Sequence, residues 1–217
     1  MDIAKMLVTL RRHIYGFQVP LINQIMQEFG HDPYLMLIAC LLSLRARDVM
    51  TIHVCRDLFA HVKTPTALLA LPIEELEKII YRTGYYKTKA RVLREVSQEL
   101  LTRFNGTVPP SYEALISIKG VGAKTANLIL GLGFGIASIC VDTHVHRISN
   151  RLGLVQTKTP EETERALRNV LPVENWIEYN TLLVTWGQNV CVPISPKCSQ
   201  CPLREQGCRR RGVTKSR

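Results

Sequence analysis

Leu115-Ile116-Ser117-Ile118-Lys119-Gly120-Val121-Gly122-Ala123-Lys124-Thr125-Ala126-Asn127-Leu128-Ile129-Leu130 reads as a helix, a tight turn and a second helix. Gly120 and Gly122 flank a single apolar residue, Val121. Glycines permit positive φ and the close approach of another backbone. The turn leaves amide N–H groups without partners where the second helix begins. Those donors and the helix dipole suit a phosphate. Contact of this kind carries no base-sequence information and serves to position. The plain alternative is a G-V-G corner that only joins two packed helices.

Working outward, the pattern stays helical. Asp32 and Pro33 supply an N-cap and a first helical residue for the run Tyr34–Leu44, which is apolar nearly all round and belongs at the centre of a core. Asp48 reads as another cap, Asn105-Gly106 as a stop, and Thr159-Pro160 as a cap and first turn followed by acids. The segment before the basic pair Arg11-Arg12 reads as an amphipathic helix rather than a secretory signal, because its charge comes after the apolar stretch. No period-two strand or tandem repeat stands out. The expected fold class is all-α, helix packed on helix.

Lys124 falls in the first turn of the second hairpin helix, an unfavourable place for an ammonium because the positive end of the dipole lies close by. A neutral amine is a nucleophile and can form a Schiff base with a sugar aldehyde. Read in isolation, a solvated or phosphate-contacting lysine is the simpler alternative. The segment Val141-Asp142-Thr143-His144-Val145-His146-Arg147 places Asp142 where the next helix would begin. An N-cap is one role for it. An ionised carboxylate held there by amides can also stabilise positive charge developing on a sugar ring, and the two roles are compatible. His144 and Arg147 are candidates for phosphate contacts.

Seven cysteines are present. Cys40, Cys55 and Cys140 sit among apolar neighbours and read as inert buried thiols. The other four run Cys191-x6-Cys198-x2-Cys201-x6-Cys208. Four thiols so close together imply a metal centre. Tetrahedral zinc is one reading, but zinc ribbons bring two C-x-x-C knuckles and this chain has one. A single knuckle with wide outer gaps better suits a [4Fe-4S] cluster. The tail Arg209–Arg217 reads as frayed and basic.

The chain has 217 residues and a net charge of +10, from 28 Lys and Arg against 18 Asp and Glu. A surplus of this kind favours a polyanionic partner. No apolar run approaches a membrane span, and a cytoplasmic protein is expected.

Taken together, L-I-S-I-K-G-V-G-A-K-T-A, then V-D-T-H-V-H-R, then the four-cysteine group resemble the endonuclease III family of helix-hairpin-helix DNA glycosylases, from about Asp32 to Cys208. The resemblance implies two helical lobes, expected here as a six-helix lobe over 25–136 and a second over 1–24 plus 137–217. It implies a bifunctional DNA glycosylase and AP lyase of base excision repair, acting as a monomer on double-stranded DNA that holds damaged bases or abasic sites. Oxidised pyrimidines are the family default. Lys124 takes the place of the family's nucleophile and Asp142 that of its second catalytic residue, while Gly120, Val121 and Gly122 take that of the backbone-gripping turn. The four cysteines take the place of its cluster ligands, although the family has five residues in the last gap where this chain has six. The family's better-known members place glutamine where Arg45 stands, to fill the space left by the flipped base. Tyr85 stands where an apolar wedge is often found. Arg45 is expected either to fill the void and bias the opposite base toward guanine, or to stand as a surface arginine on phosphate.

Rival readings are a thymine/uracil mismatch glycosylase, which usually lacks the lysine, and a non-catalytic DNA-binding module, which needs neither Lys124 nor Asp142. An adenine-excising enzyme needs an acid in the first core helix, and Pro33–Arg47 holds none.

Overall fold

The computed structural model describes all 217 residues. It contains twelve α-helices and no strand, in keeping with the all-α reading. The chain forms two compact units, Pro20–Gly135 and Met1–Val19 with Ile136–Arg217. The first crossing falls after Val19, earlier than the expected 24/25, and the return falls at 135/136. Pro20 starts a helix whose Leu21, Ile22 and Ile25 are buried, so these residues belong to the continuous unit that they open.

Helices are numbered along the chain. α1 (Ile3–His13) belongs to the discontinuous unit. The continuous unit holds α2 (Leu21–Phe29), α3 (Pro33–Ser43), α4 (Asp48–Phe59), α5 (Pro65–Ala70), α6 (Ile73–Ile80), α7 (Tyr86–Phe104), α8 (Tyr112–Ile116) and α9 (Ala123–Leu128). These are eight helices where six were expected. Pro72 separates α5 from α6, and the glycine turn separates α8 from α9, where the sequence also breaks its helical pattern.

α3 is the axle of this unit. Asp32 caps it, its Oδ1 accepting from the amides of Tyr34 at 2.8 Å and Leu35 at 3.2 Å. Every residue from Tyr34 to Leu42 is buried, and α2, α4 and α7 pack around it. The Tyr34 hydroxyl reaches the buried Ser97 Oγ on α7 at 2.9 Å, which satisfies both groups in the core. Asp48 is the first residue of α4 and Arg47 its cap, one place from the expected assignment. The run after α9 does not continue as α-helix: Ile129–Gly133 widens into a π-helical turn. Gly131 and Gly133 lie in that turn, and α3 packs against it.

The discontinuous unit is built from α1, α10 (Thr143–Leu152), α11 (Pro160–Arg168) and α12 (Trp176–Asn189). Met6, Leu7 and Leu10 of α1, Ile148 and Leu152 of α10, and Tyr179, Leu183 and Trp186 of α12 form its core. The Tyr179 hydroxyl pairs with the Ser149 Oγ at 2.9 Å. Beyond α12 the chain runs through the cysteine loop. The tail is not frayed. Arg209 and Arg211 donate backbone N–H groups to Leu152 and Arg151 carbonyls at 3.3 and 3.2 Å. Arg217 donates to the Pro196 carbonyl at 3.0 Å and accepts from the Ser199 amide at 3.1 Å. Charge composition suggested a solvated tail, but its backbone finds partners along the loop. No helix is long and apolar enough to cross a membrane.

Leu37, fully buried at the middle of α3, tests this arrangement. We expect Leu37→Ala to lower the unfolding free energy by about 2–5 kcal/mol in urea denaturation, the range for a buried leucine truncation.

Candidate nucleic-acid interface and cysteine centre

The hairpin lies in the continuous unit. Gly120 sits at φ +96, and Gly122 is the extended N-cap of α9. Between them Val121 is buried, its amide donating to the Ile118 carbonyl at 3.0 Å, so the turn is anchored through its one apolar side chain. A Cβ at Gly120 would come within 3.1 Å of the Val92 side chain on α7, a second reason for glycine there. Gly122 brings no side chain to cap α9. The first turn of α9 therefore has no side-chain cap, the arrangement that suits an anion at a helix start. Lys124, second residue of α9, is exposed. Its charge is felt below by the buried thiol of Cys40, which burial pushes up to about 12 while Lys124 acts to lower it.

Arg45 and Tyr85 lie together in the same unit. Each holds left-handed backbone, Arg45 at φ +56 just past α3 and Tyr85 at φ +49 as the N-cap of α7. Non-glycine residues rarely take this conformation, and it turns both side chains out from the helix ends that carry them. The Arg45 guanidinium lies 5.8 Å from the centroid of the Tyr85 ring, within cation–π range. Tyr85 is 67% exposed.

Asp142, His144, Arg147 and the four cysteines belong to the discontinuous unit. Asp142 is the N-cap of α10. Its Oδ1 accepts from the amides of His144 at 2.9 Å and Val145 at 2.8 Å, and Oδ2 takes neither bond. Two amides thus hold one carboxylate oxygen while the other keeps its lone pairs. His144 lies over α12, where a Cβ at Gly187 would come within 2.4 Å of its Nδ1.

From sequence, Arg147 reads as either a phosphate contact or a satisfied polar residue near the helix start. Its Nη2 donates to the carbonyls of Cys191 at 3.0 Å and Gly187 at 3.3 Å. Burial lowers its pKa, partly opposed by the nearby Cys191 and Asp142. One turn on, Arg151 is buried and donates to Val192 O at 2.8 Å, Pro193 O at 2.7 Å and the Cys191 Sγ at 3.5 Å. Two arginines spaced i, i+4 on α10 therefore grip the start of the cysteine loop. Four carbonyls left open beyond a helix end attract cations more strongly than a screened surface does.

Cys191, Cys198, Cys201 and Cys208 are all free and half-buried. They line one apolar cavity with Ile148, Leu152, Trp186 and Val213. Burial pushes the Cys201 thiol up to about 11 and raises that of Cys208. No three Cys, His, Asp or Glu side chains stand together as a single metal ion requires. Arg210 also lines the cavity, and its buried Nε has no acceptor. Cys40, Cys55 and Cys140 are buried, as their apolar surroundings indicated.

Sequence reading passed over Lys89 and Arg151. A signal existed for the first. Lys89, Leu93, Val96 and Leu100 share one helical stripe of α7, and all four are buried, so the lysine stands on an apolar face.

Comparison with known proteins adds three findings. The model of the HhH-GPD superfamily of base excision DNA repair proteins matches residues 38–173. Endonuclease III of Thermotoga maritima is 44% identical over 183 residues, 83% of this chain and 86% of that protein. Two solved structures, a non-covalent endonuclease III–DNA complex and a trapped endonuclease III–DNA covalent intermediate, each align with a TM-score of 0.80 at 31% identity. The first covers 97% of this chain and 96% of its own, the second 97% of both.

The capping geometry separates two roles of Asp142. Asp142→Ala should cost about 0.5–2 kcal/mol of stability in urea denaturation, and Asp142→Asn should cost almost nothing, because asparagine caps as well as aspartate.

Proposed function

We propose, on the premise that this chain belongs to the endonuclease III family of the HhH-GPD superfamily of base excision DNA repair proteins, that Lys124 is the nucleophile of its DNA glycosylase and AP lyase reaction. The observation that carries this reading is an exposed lysine in the first turn of a hairpin helix whose amides have no side-chain cap. The Gly120-Val121-Gly122 turn and those amides hold a phosphate, and the damaged nucleotide is flipped out of the stack. Phosphate contacts fix the register and leave recognition to the flipped base.

The Lys124 amine attacks C1′ of the sugar. The C1′–N bond breaks, and its electron pair leaves with the base. Asp142, with one oxygen fixed by two amides and the other open, stabilises the positive charge that spreads over C1′ and the ring oxygen. Loss of a proton from the lysine nitrogen and ring opening give a Schiff base at C1′, which makes the C2′ proton acidic. Removal of that proton sends its electrons toward C3′ and breaks the C3′–O bond, nicking the strand on the 3′ side of the lesion. Water then releases the lysine. The substrate we assign is duplex DNA bearing oxidised pyrimidines or abasic sites, met by a monomer. Arg45 and Tyr85 enter the space left by the flipped base, and Arg45 favours guanine opposite the lesion. His144 is a further contact to the backbone, whereas Arg147 serves the loop.

Cys191, Cys198, Cys201 and Cys208 would hold a [4Fe-4S] cluster. Four soft thiol donors around one apolar cavity support this, and so does the orphaned Arg210 Nε, for which an anionic cluster offers an acceptor. When bound, the cluster supplies structural stability, keeping the loop that carries Lys197 and Arg204 in shape.

Two measurements test this. Lys124→Gln should abolish borohydride trapping of the enzyme on lesion DNA and on abasic DNA. Full trapping in that variant would refute the assignment. Purified protein should be brown with broad visible absorbance and should lose its colour in Cys198→Ser. A colourless protein with one zinc would remove the cluster.

A further inference from the structure

Lys89 is 8% exposed, yet it carries an ammonium among apolar neighbours of α7. Its Nζ donates to the Leu42 carbonyl at 2.7 Å and to the Thr83 carbonyl at 2.8 Å. Leu42 belongs to the last turn of α3, where carbonyls have no helical donor and the dipole is negative. Three residues on is Arg45. Thr83 ends the 3-10 turn that precedes Gly84 and Tyr85. The backbone N–H of Lys89 donates to the Tyr85 carbonyl at 3.0 Å. One residue therefore holds the Gly84–Tyr85 corner from both sides, by its amide and by its amine. With the same amine it fastens that corner to the end of α3. Thr83 adds a local tie, its hydroxyl donating to the Ile80 carbonyl at 2.8 Å.

A buried ammonium is costly, and a methionine of similar shape would fill this stripe without that cost. Burial accordingly lowers the pKa of Lys89. Two short charge-assisted bonds offset the cost, and both are spent on carbonyls flanking the two outward-turned residues. Arg45 and Tyr85 hold rare left-handed backbone, which persists only where the surroundings over-determine it.

We infer that Lys89 is a positioning residue that couples Arg45 and Tyr85, so that the two side chains enter the DNA as one rigid pair rather than as independent probes. This rests on the proposal that both touch DNA. It concerns neither the nucleophile nor the hairpin grip.

The test is a double-mutant cycle in binding. Arg45→Gln, Tyr85→Ala and the double variant are titrated against a duplex carrying a non-cleavable tetrahydrofuran abasic analogue. The same set is repeated in the Lys89→Met and Lys89→Arg backgrounds. With Lys89 present, each single change should weaken binding, and the double should fall about tenfold short of the product of the two, the mark of coupled residues. In Lys89→Met the two effects should multiply. Lys89→Arg should restore the shortfall, because a pocket of about 200 Å3 lined by Leu41, Arg45, Tyr85 and Val92 adjoins the amine and leaves room for the larger head. Should Lys89→Met fail to fold, Lys89→Gln, whose shorter amide reaches at most one carbonyl, carries the same comparison. A shortfall that survives loss of the amine overturns the inference, as does its absence in the parent. If neither single change weakens binding, the DNA-contact reading falls as well, which separates the two failures.

Discussion

An α-helix leaves its first amides and last carbonyls without partners, and this chain uses that constraint at each place where chemistry is expected. Asp2, Asp32, Thr64, Ser111, Asp142 and Thr159 close helix starts with a side-chain oxygen. α9 does not, because Gly122 offers no oxygen. The same property has opposite outcomes at two starts. At α10 the amides are spent on a carboxylate and keep it placed. At α9 no side chain caps them, which is what the proposed phosphate contact uses. Lys124 stands beside the open start and Asp142 forms the closed one, so the proposed nucleophile and charge stabiliser derive from one backbone rule.

Open carbonyls matter as much. Lys89 fastens the end of α3, and Arg147 and Arg151 fasten the stretch from Gly187, in the last turn of α12, to Pro193 beyond it. In each case a long cationic side chain supplies donors to carbonyls that regular structure leaves bare. Since α10 begins at Asp142 and ends against the cysteine loop and its tail, the placement of the carboxylate and the fold of the loop are carried by one rigid element. The proposed cluster would then contribute by holding that element steady.

Much of this was legible beforehand. Asp32-Pro33 marked α3, and the all-round apolar run marked its place at the centre. Gly-Val-Gly marked the hairpin, and cysteine spacing marked the loop. What escaped was decided by tertiary partners. A charge-rich tail looked solvated because its composition shows only side chains, while its order comes from backbone bonds to Leu152, Arg151 and Pro196. The sequence leaves Arg147 open between a phosphate contact and a satisfied polar residue, because nothing nearby in sequence shows the carbonyls to which it donates. The π turn at Ile129–Gly133, against which α3 packs, carries the same apolar letters as a regular helix, so the pattern gave no sign of its widening. The pattern did hold Lys89 on an apolar stripe, but a lysine's long stem allows it to sit on such a face while its head reaches water, so periodicity could not say that the head stays inside.

These inward cations alter what the net charge of +10 means. A phosphate releases counterions only for a cation it can approach. Lys89 and Arg151 are buried and Arg147 is committed to carbonyls, while Arg11, Arg56, Arg103, Lys119 and Arg168 are paired with carboxylates. Such charges still add to the field at a distance, which steers association, but they contribute little to contact. Eight of the 28 Lys and Arg are thus buried, committed or paired, so the surplus overstates the cations that a polyanion could meet directly. A grip made of amides binds every sequence alike, so discrimination falls to the side chains that enter the stack. In the proposed reading those are Arg45 and Tyr85, and the precision with which they are held would then matter more to selectivity than the size of the positive surplus.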